Sequence, residues 1–184
     1  PVYARLLAKG EEREAGKGAG AVLGLLTFLV SLVVLGGVVG TPLVVDLLAP
    51  GFEGHKRQLT ITLVRILFPA TGLMVLSAWC LGVLNSHRKF FLSYAAPVVW
   101  NLTVIAGALW AAATRNPSDL VVWIAWSAVL GSARQVAVQL PSVIAVLQGF
   151  KLAVRTTTPE VRTVVGTFWP AFMSRGAAQI SAYV

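Results

Sequence analysis

Three arginines stand inside long apolar stretches of this 184-residue chain, and they are the residues whose type and setting first suggest chemistry. A charged side chain at the centre of a bilayer costs at least ~2.5–3.5 kcal/mol, so it faces the interior of a helix bundle or a water-filled cavity. Arg134 lies close to the middle of its stretch, within Leu130-Gly131-Ser132-Ala133-Arg134-Gln135-Val136-Ala137-Val138-Gln139. Gln135 and Gln139 are four residues apart and share a helical face, with Arg134 next to it, which gives an otherwise apolar helix a polar stripe. Two uses of Arg134 stay open: lining a polar cavity, or being buried against neighbouring carbonyls. Arg175, in Phe172-Met173-Ser174-Arg175-Gly176, is equally deep if its helix continues beyond the last residue. Arg65 is only about two turns inside its stretch, from where a guanidinium can snorkel back to the interface.

Other chemistry fails on spacing. Gly10 to Gly18 resembles a phosphate loop, but five residues precede Gly16-Lys17 where four are needed, and Gly18 stands where Ser or Thr would meet magnesium. His55 and His87 fall in different loops on opposite sides of the membrane without companion ligands, so no metal site is expected. Asn101-Leu102-Thr103 matches a glycosylation sequon inside an apolar span, where glycosylation has no access. No span holds a carboxylate at mid-depth, Asp46 being at an end, which argues against a carboxylate proton relay. Neither enzymatic activity nor a cofactor is expected.

The elements that carry these residues are membrane helices. Hydrophobic residues make up 57% of the chain and charged residues 12%, against about 25% charged in soluble domains, and the mean hydropathy is +0.78. Apolar runs longer than about 18 residues cross a hydrocarbon core of ~30 Å as helices, which excludes a soluble domain and a disordered chain. Complete spans are expected at 18–45, 59–84, 90–113 and 120–147, with a further one from 164. The expected organisation is the end of a membrane helix and a cytoplasmic linker (1–17), a four-helix transmembrane bundle (18–147), a cytoplasmic loop (148–163) and the start of another span (164–184). Ala49-Pro50-Gly51-Phe52-Glu53-Gly54 reads as a turn, Asn116-Pro117-Ser118-Asp119 as a helix cap, and Thr158-Pro159-Glu160 as another helix start. Connections this short make successive helices antiparallel neighbours. The expected class is therefore all-α: a polytopic membrane helix bundle.

The net charge of +8 does not indicate nucleic acid, because the basic residues sit at the ends of apolar runs and form no exposed stripe. Anionic headgroups and orientation account for them. Nine basic residues (Arg5, Lys9, Arg13, Lys17, Arg88, Lys89, Lys151, Arg155 and Arg162) fall on one side and three (Lys56, Arg57, Arg115) on the other. The positive-inside rule then puts the first set in the cytoplasm. Pro69, Pro97, Pro141 and Pro170 interrupt the hydrogen-bond ladders of their spans, and Gly16, Gly20 and Gly24 are spaced for close helix packing, as suits a bundle that bends while opening and closing. Cys80, alone, is expected to be a packing residue. The chain starts without methionine and stops within an apolar segment, so it reads as an internal piece of a longer protein.

A set of ordered motifs resembles one family. Leu48-Ala49-Pro50-Gly51-Phe52, Leu63-Val64-Arg65-Ile66-Leu67-Phe68-Pro69, Gly82-Val83-Leu84-Asn85 with Arg88-Lys89-Phe90, Ala96-Pro97-Val98-Val99-Trp100-Asn101-Leu102, Gln135 with Gln139-Leu140-Pro141, and Trp169-Pro170-Ala171 with Gln179-Ile180 follow the order and spacing of the MurJ/MviN lipid II flippases. No single motif is specific; the six in order are. The resemblance implies membership of the multidrug/oligosaccharidyl-lipid/polysaccharide exporter superfamily, with two helical lobes around a cationic cavity. It also implies alternating-access transport of the lipid-linked peptidoglycan precursor across the bacterial inner membrane. On this resemblance the chain covers the end of the second helix through the start of the seventh, most of the N-terminal lobe. The family's best-known basic residues, in the first, second and eighth helices, lie outside it. Arg134 and Arg175 stand where relatives usually have small or apolar residues. The expected substrate-cavity set is Arg134, Gln135, Gln139, Arg175 and Asn101, and the expected partners are membrane lipids, the lipid-linked precursor and the remaining helices. Competing readings are a flippase for another polyprenyl-linked glycan, a non-transporting scaffold, and a membrane enzyme acting on polyprenyl lipids, whose acids (Asp46, Glu53, Asp119, Glu160) form no cluster in sequence.

Overall fold

The computed structural model describes residues 2–147, and those residues are helical with short turns and no strands among them. The helices are α1 (Val2–Ala8), α2 (Glu12–Leu48), α3 (Gly54–Ser86), α4 (Phe90–Thr114) and α5 (Pro117–Val146). The last four are each long and apolar enough to cross a membrane. The spans expected at 18–45 and 59–84 fall inside longer helices. At ~1.5 Å per residue the 37 residues of α2 reach ~55 Å, well beyond a hydrocarbon core of ~30 Å. Hydropathy marks only the stretch immersed in hydrocarbon, whereas backbone bonding continues into the headgroup region. There the acidic first turn of α2, Glu12 and Glu14, suits the helix dipole. The expected helix starting near 164 lies outside the described residues.

Two compact units divide the chain, one formed by Leu26–Val146 and the other including residues 2–25. In the latter, Gly16, Gly20 and Gly24 are all buried, along with Ala15, Ala19 and Ala21, a small-residue face of the kind that lets membrane helices approach closely.

Within Leu26–Val146, α3 is flanked by α2 and α5, and α4 packs on α5. The α2–α3 pair is antiparallel, with Asp46 beside Arg57, Val38 beside Arg65, Gly37 against the ring of Phe68, and Gly72 against Val34 and Val30. The α4–α5 pair is antiparallel too: Trp100 meets Gly131 and donates to the Ala128 carbonyl at 3.2 Å, and Gly107 meets Ser127. At each of these glycines a Cβ would collide with the facing side chain, so the close approach depends on its absence.

The short turns have local causes. At the α3–α4 turn Lys89 N–H donates to the Leu84 carbonyl and Arg88 N–H to that of Asn85, with Arg88 at φ +58, the left-handed position a glycine usually takes after a helix. At the α4–α5 turn Pro117 opens α5, where its missing N–H has no helical partner to lose, and the Asn116 carbonyl accepts from Asp119 and Leu120.

The pattern of burial is that of a protein whose solvent is lipid. Buried positions are mostly small or weakly polar, such as Ala70, Ser77, Cys80, Ala96, Thr103, Ala111 and Ser132. Large apolar side chains such as Val39, Leu43, Leu47, Leu102 and Leu109 point outward. Between helices already in hydrocarbon there is no hydrophobic drive to bury leucine, so packing and polar contacts between small residues hold the seams.

Candidate functional site

The polar residues of α5 separate into two clusters. Gln135 and Gln139 both face α3, where Ser77 Oγ donates to Gln139 Oε1 at 2.7 Å and accepts from Gln135 Nε2 at 2.8 Å. Ser77 and Gln139 are buried, with Gln139 wholly covered, yet its Nε2 has no hydrogen-bond partner among the described residues. Turning the amide over exchanges its ends and still leaves one of them without a partner. The expected i, i+4 face is thus real, and it is a packing seam between α3 and α5.

Arg134, one position before Gln135, turns towards α4. Its Nη1 lies 3.5 Å from Thr103 Oγ1, the long limit of a hydrogen bond, and the side chain is otherwise exposed. Burial against neighbouring carbonyls does not hold it in this bundle. Thr103 spends its own hydroxyl proton on the Val99 carbonyl, which leaves its oxygen lone pairs to the guanidinium. Asn101 does not join either cluster. Its Nδ2 donates at 3.0 Å to the Pro97 carbonyl of its own helix, and its side chain is exposed. Arg175 lies outside the described residues.

The helix ends at the α2–α3 and α4–α5 turns carry a second kind of polar contact. Arg57 Nε and Nη2 pair with both oxygens of Asp46 at 2.6 and 2.8 Å, a bidentate fork tying the end of α2 to the start of α3. Lys56 lies over the Phe52 ring at 3.9 Å, and Arg115 stacks on Trp110 and Trp123 at 4.9 and 4.3 Å, the two indoles meeting edge to face. Arginine and tryptophan together are what a membrane–water interface favours. Nearby, Asp119, Val122, Trp123 and Trp126 line a shallow cavity of about 320 Å³. Among the described residues no group of His, Cys, Asp and Glu is arranged to hold a metal.

Two contributors escaped the reading of the residues alone. Ser77 was invisible because a serine in an apolar span satisfies itself on its own helix by default. Arg65, read as able to snorkel, is also tied to the neighbouring helix, its Nε donating to the Val38 carbonyl of α2 at 3.2 Å. The available signal was Pro42, four residues after Val38 and inside the α2 span.

Long apolar helices with outward leucines, seams of small and amide side chains, and an arginine–aromatic interface define a multi-pass α-helical membrane protein. The family model described as lipid II flippase MurJ matches residues 1–184, and the chain belongs to that family. Among its relatives, the lipid II flippase MurJ of Burkholderia cenocepacia is 30% identical over 166 residues, covering 87% of this chain and 32% of the relative. The probable lipid II flippase MurJ of Haemophilus influenzae is 31% identical over 150 residues, 77% of this chain and 29% of the relative. That of Rhizobium tropici is 27% identical over the whole chain and 35% of the relative. The chain therefore spans about a third of the length of these curated relatives.

Proposed function

We propose that the full-length protein to which these helices belong flips lipid II, the lipid-linked peptidoglycan precursor, across the bacterial inner membrane by alternating access. In this reading residues 18–147 supply most of the N-terminal lobe, 148–163 a cytoplasmic loop and 164–184 the start of the next span. The observation that carries it is the family match along residues 1–184. The seams of glycine and small residues, interrupted by Pro42, Pro69, Pro97 and Pro141, support a lobe that can flex as a unit. The nine-to-three basic asymmetry supports a cytoplasmic position for the His87-Arg88-Lys89 turn and an outer position for the Phe52 turn.

Within that activity Arg134 is the residue of the described bundle best suited to draw an anionic headgroup. Its guanidinium is exposed, offers a planar fork of donors suited to a phosphate, and is held only weakly by Thr103. Arg175 is its companion candidate from sequence, and Asn101 offers an exposed amide on α4. Gln135 and Gln139 contribute by holding α5 to α3. The protein acts as a transporter without a cofactor, in contact with membrane lipids and the remaining helices.

The test is Arg134→Gln in the full-length protein, reconstituted in liposomes containing the lipid-linked precursor. Removing one cationic partner of a phosphate is expected to slow transport about tenfold, the scale of one charge-assisted hydrogen bond, and Arg134→Lys should recover part of it. Thermal unfolding in detergent should barely change. Unfolding on substitution, or unaltered transport, would remove Arg134 from the substrate path.

A further inference from the structure

Pro42 interrupts α2 at a specific backbone group. The helical partner of the Val38 carbonyl is the amide of residue 42, and proline has no N–H to give. The nearest side chain able to compensate within α2 is Thr41, but its hydroxyl donates to the Gly37 carbonyl at 2.5 Å. The Val38 carbonyl is left to α3, and there Arg65 Nε donates to it at 3.2 Å. Gly37 makes that reach possible, because it admits the Phe68 ring and brings the helices together at this level. Eight residues outward on both helices, Asp46 and Arg57 form the bidentate pair, so the outer third of α2 is tied to α3 at two levels.

We infer that Arg65 is the positioning residue of the α2 proline break: its Nε replaces the amide hydrogen that Pro42 lacks, and so fixes how the segment of α2 beyond Pro42 lies on α3. In hydrocarbon no water is present to satisfy the freed carbonyl, so the interhelical bond governs whether the break is stiff or loose. The Asp46–Arg57 pair acts at the interface, where water competes for both partners, and cannot substitute for it at depth.

The decisive feature is a dependence between two residues that share only one carbonyl. Replacing Pro42 by alanine restores a backbone N–H for Val38 and makes Arg65 dispensable there. The test uses the full-length protein in lipid nanodiscs, with Cys80→Ala and spin labels on cysteines at Leu47 and Thr62, on either side of the seam. The distance distribution should be narrow in the parent. Arg65→Leu should widen it about twofold and slow any transport several-fold, a coupling of ordinary size for residues in contact. Adding Pro42→Ala to Arg65→Leu should narrow it again and return transport to near the Pro42→Ala level. If the leucine variant fails to insert, Arg65→Lys keeps a charge and a donor: it should give an intermediate width with Pro42 present and the parent width in the Pro42→Ala background. Equal effects of Arg65 substitution with and without Pro42, or no effect on the distance, would overturn the inference and leave Arg65 a charge that serves the interface. The distance measurement stands whatever the protein carries, so failure of the transport reading would not touch it.

Discussion

Gln139 shows how a single side chain can be buried at a cost and still be held in place. Its Oε1 accepts from Ser77, its Nε2 is without a partner among the described residues, and a buried unpaired donor costs about 1–3 kcal/mol. Ser77 is the economical member of the cluster, because one hydroxyl serves both glutamines. Ser77→Ala removes two hydrogen bonds and strands the ends of both amides. Gln139→Leu removes one bond and also the orphaned donor, and Ser77 can then turn its proton to the carbonyl four residues back. Unfolding of the full-length protein in detergent is therefore expected to show Ser77→Ala losing about 1–2 kcal/mol and Gln139→Leu losing less. The reverse order would mean that Nε2 has a partner in the complete protein. The glutamine pair was legible in the sequence from its i, i+4 spacing. Its role was not, because a helical face reveals which residues travel together and not which neighbour they meet.

At the scale of elements, the helix–helix seams depend on where side chains are missing. Gly37 and Gly40 sit one turn apart on α2 and offer a matched comparison, since a Cβ at Gly37 runs into the Phe68 ring and one at Gly40 meets nothing within 4 Å. Alanine is favoured over glycine in a helix by up to about 1 kcal/mol. Gly40→Ala should leave stability unchanged or raise it, and Gly37→Ala should lower it as Phe68 is driven from the seam. Thermal unfolding of the two full-length variants side by side checks this, and equal effects would show that the ring moves aside freely. The existence of the helices was readable in the apolar runs, and their antiparallel order in the shortness of the turns around Arg88 and Asn116. Their true lengths were not, because hydropathy stops at the edge of the hydrocarbon while α2 and α3 continue through Glu12 and Gly54. Nor was the tie between Arg65 and Val38, which needs two helices in register and a proline on one to free the carbonyl on which the arginine of the other rests.

For the whole molecule the governing fact is proportion: the chain matches the lipid II flippase family from residue 1 to 184 and spans about a third of the relatives' length. Alternating access requires two helical bodies that rock against each other around a shared site, and a diphosphate headgroup leaves water only where several cations meet it together. In the described bundle Arg134 is the exposed cation nearest mid-span, Arg57 being paired with Asp46, Arg115 stacked on indoles at a helix end and Arg65 joined to Val38. Under the proposed function, one loosely held guanidinium would supply only part of the charge a diphosphate needs. Residues 1–184 reconstituted alone should therefore insert, and circular dichroism should report helix, but the lipid-linked precursor should not move between leaflets above the protein-free rate. The full-length protein, assayed beside it in the same liposomes, should accelerate that movement. The comparison is sharpened by carrying Arg134→Gln in both, since the substitution has a rate to lower in the full-length protein and none in the shorter chain. Transport by residues 1–184 at a rate near that of the full-length protein, and sensitive to Arg134→Gln, would show that this bundle contains a complete path and that the second body is dispensable.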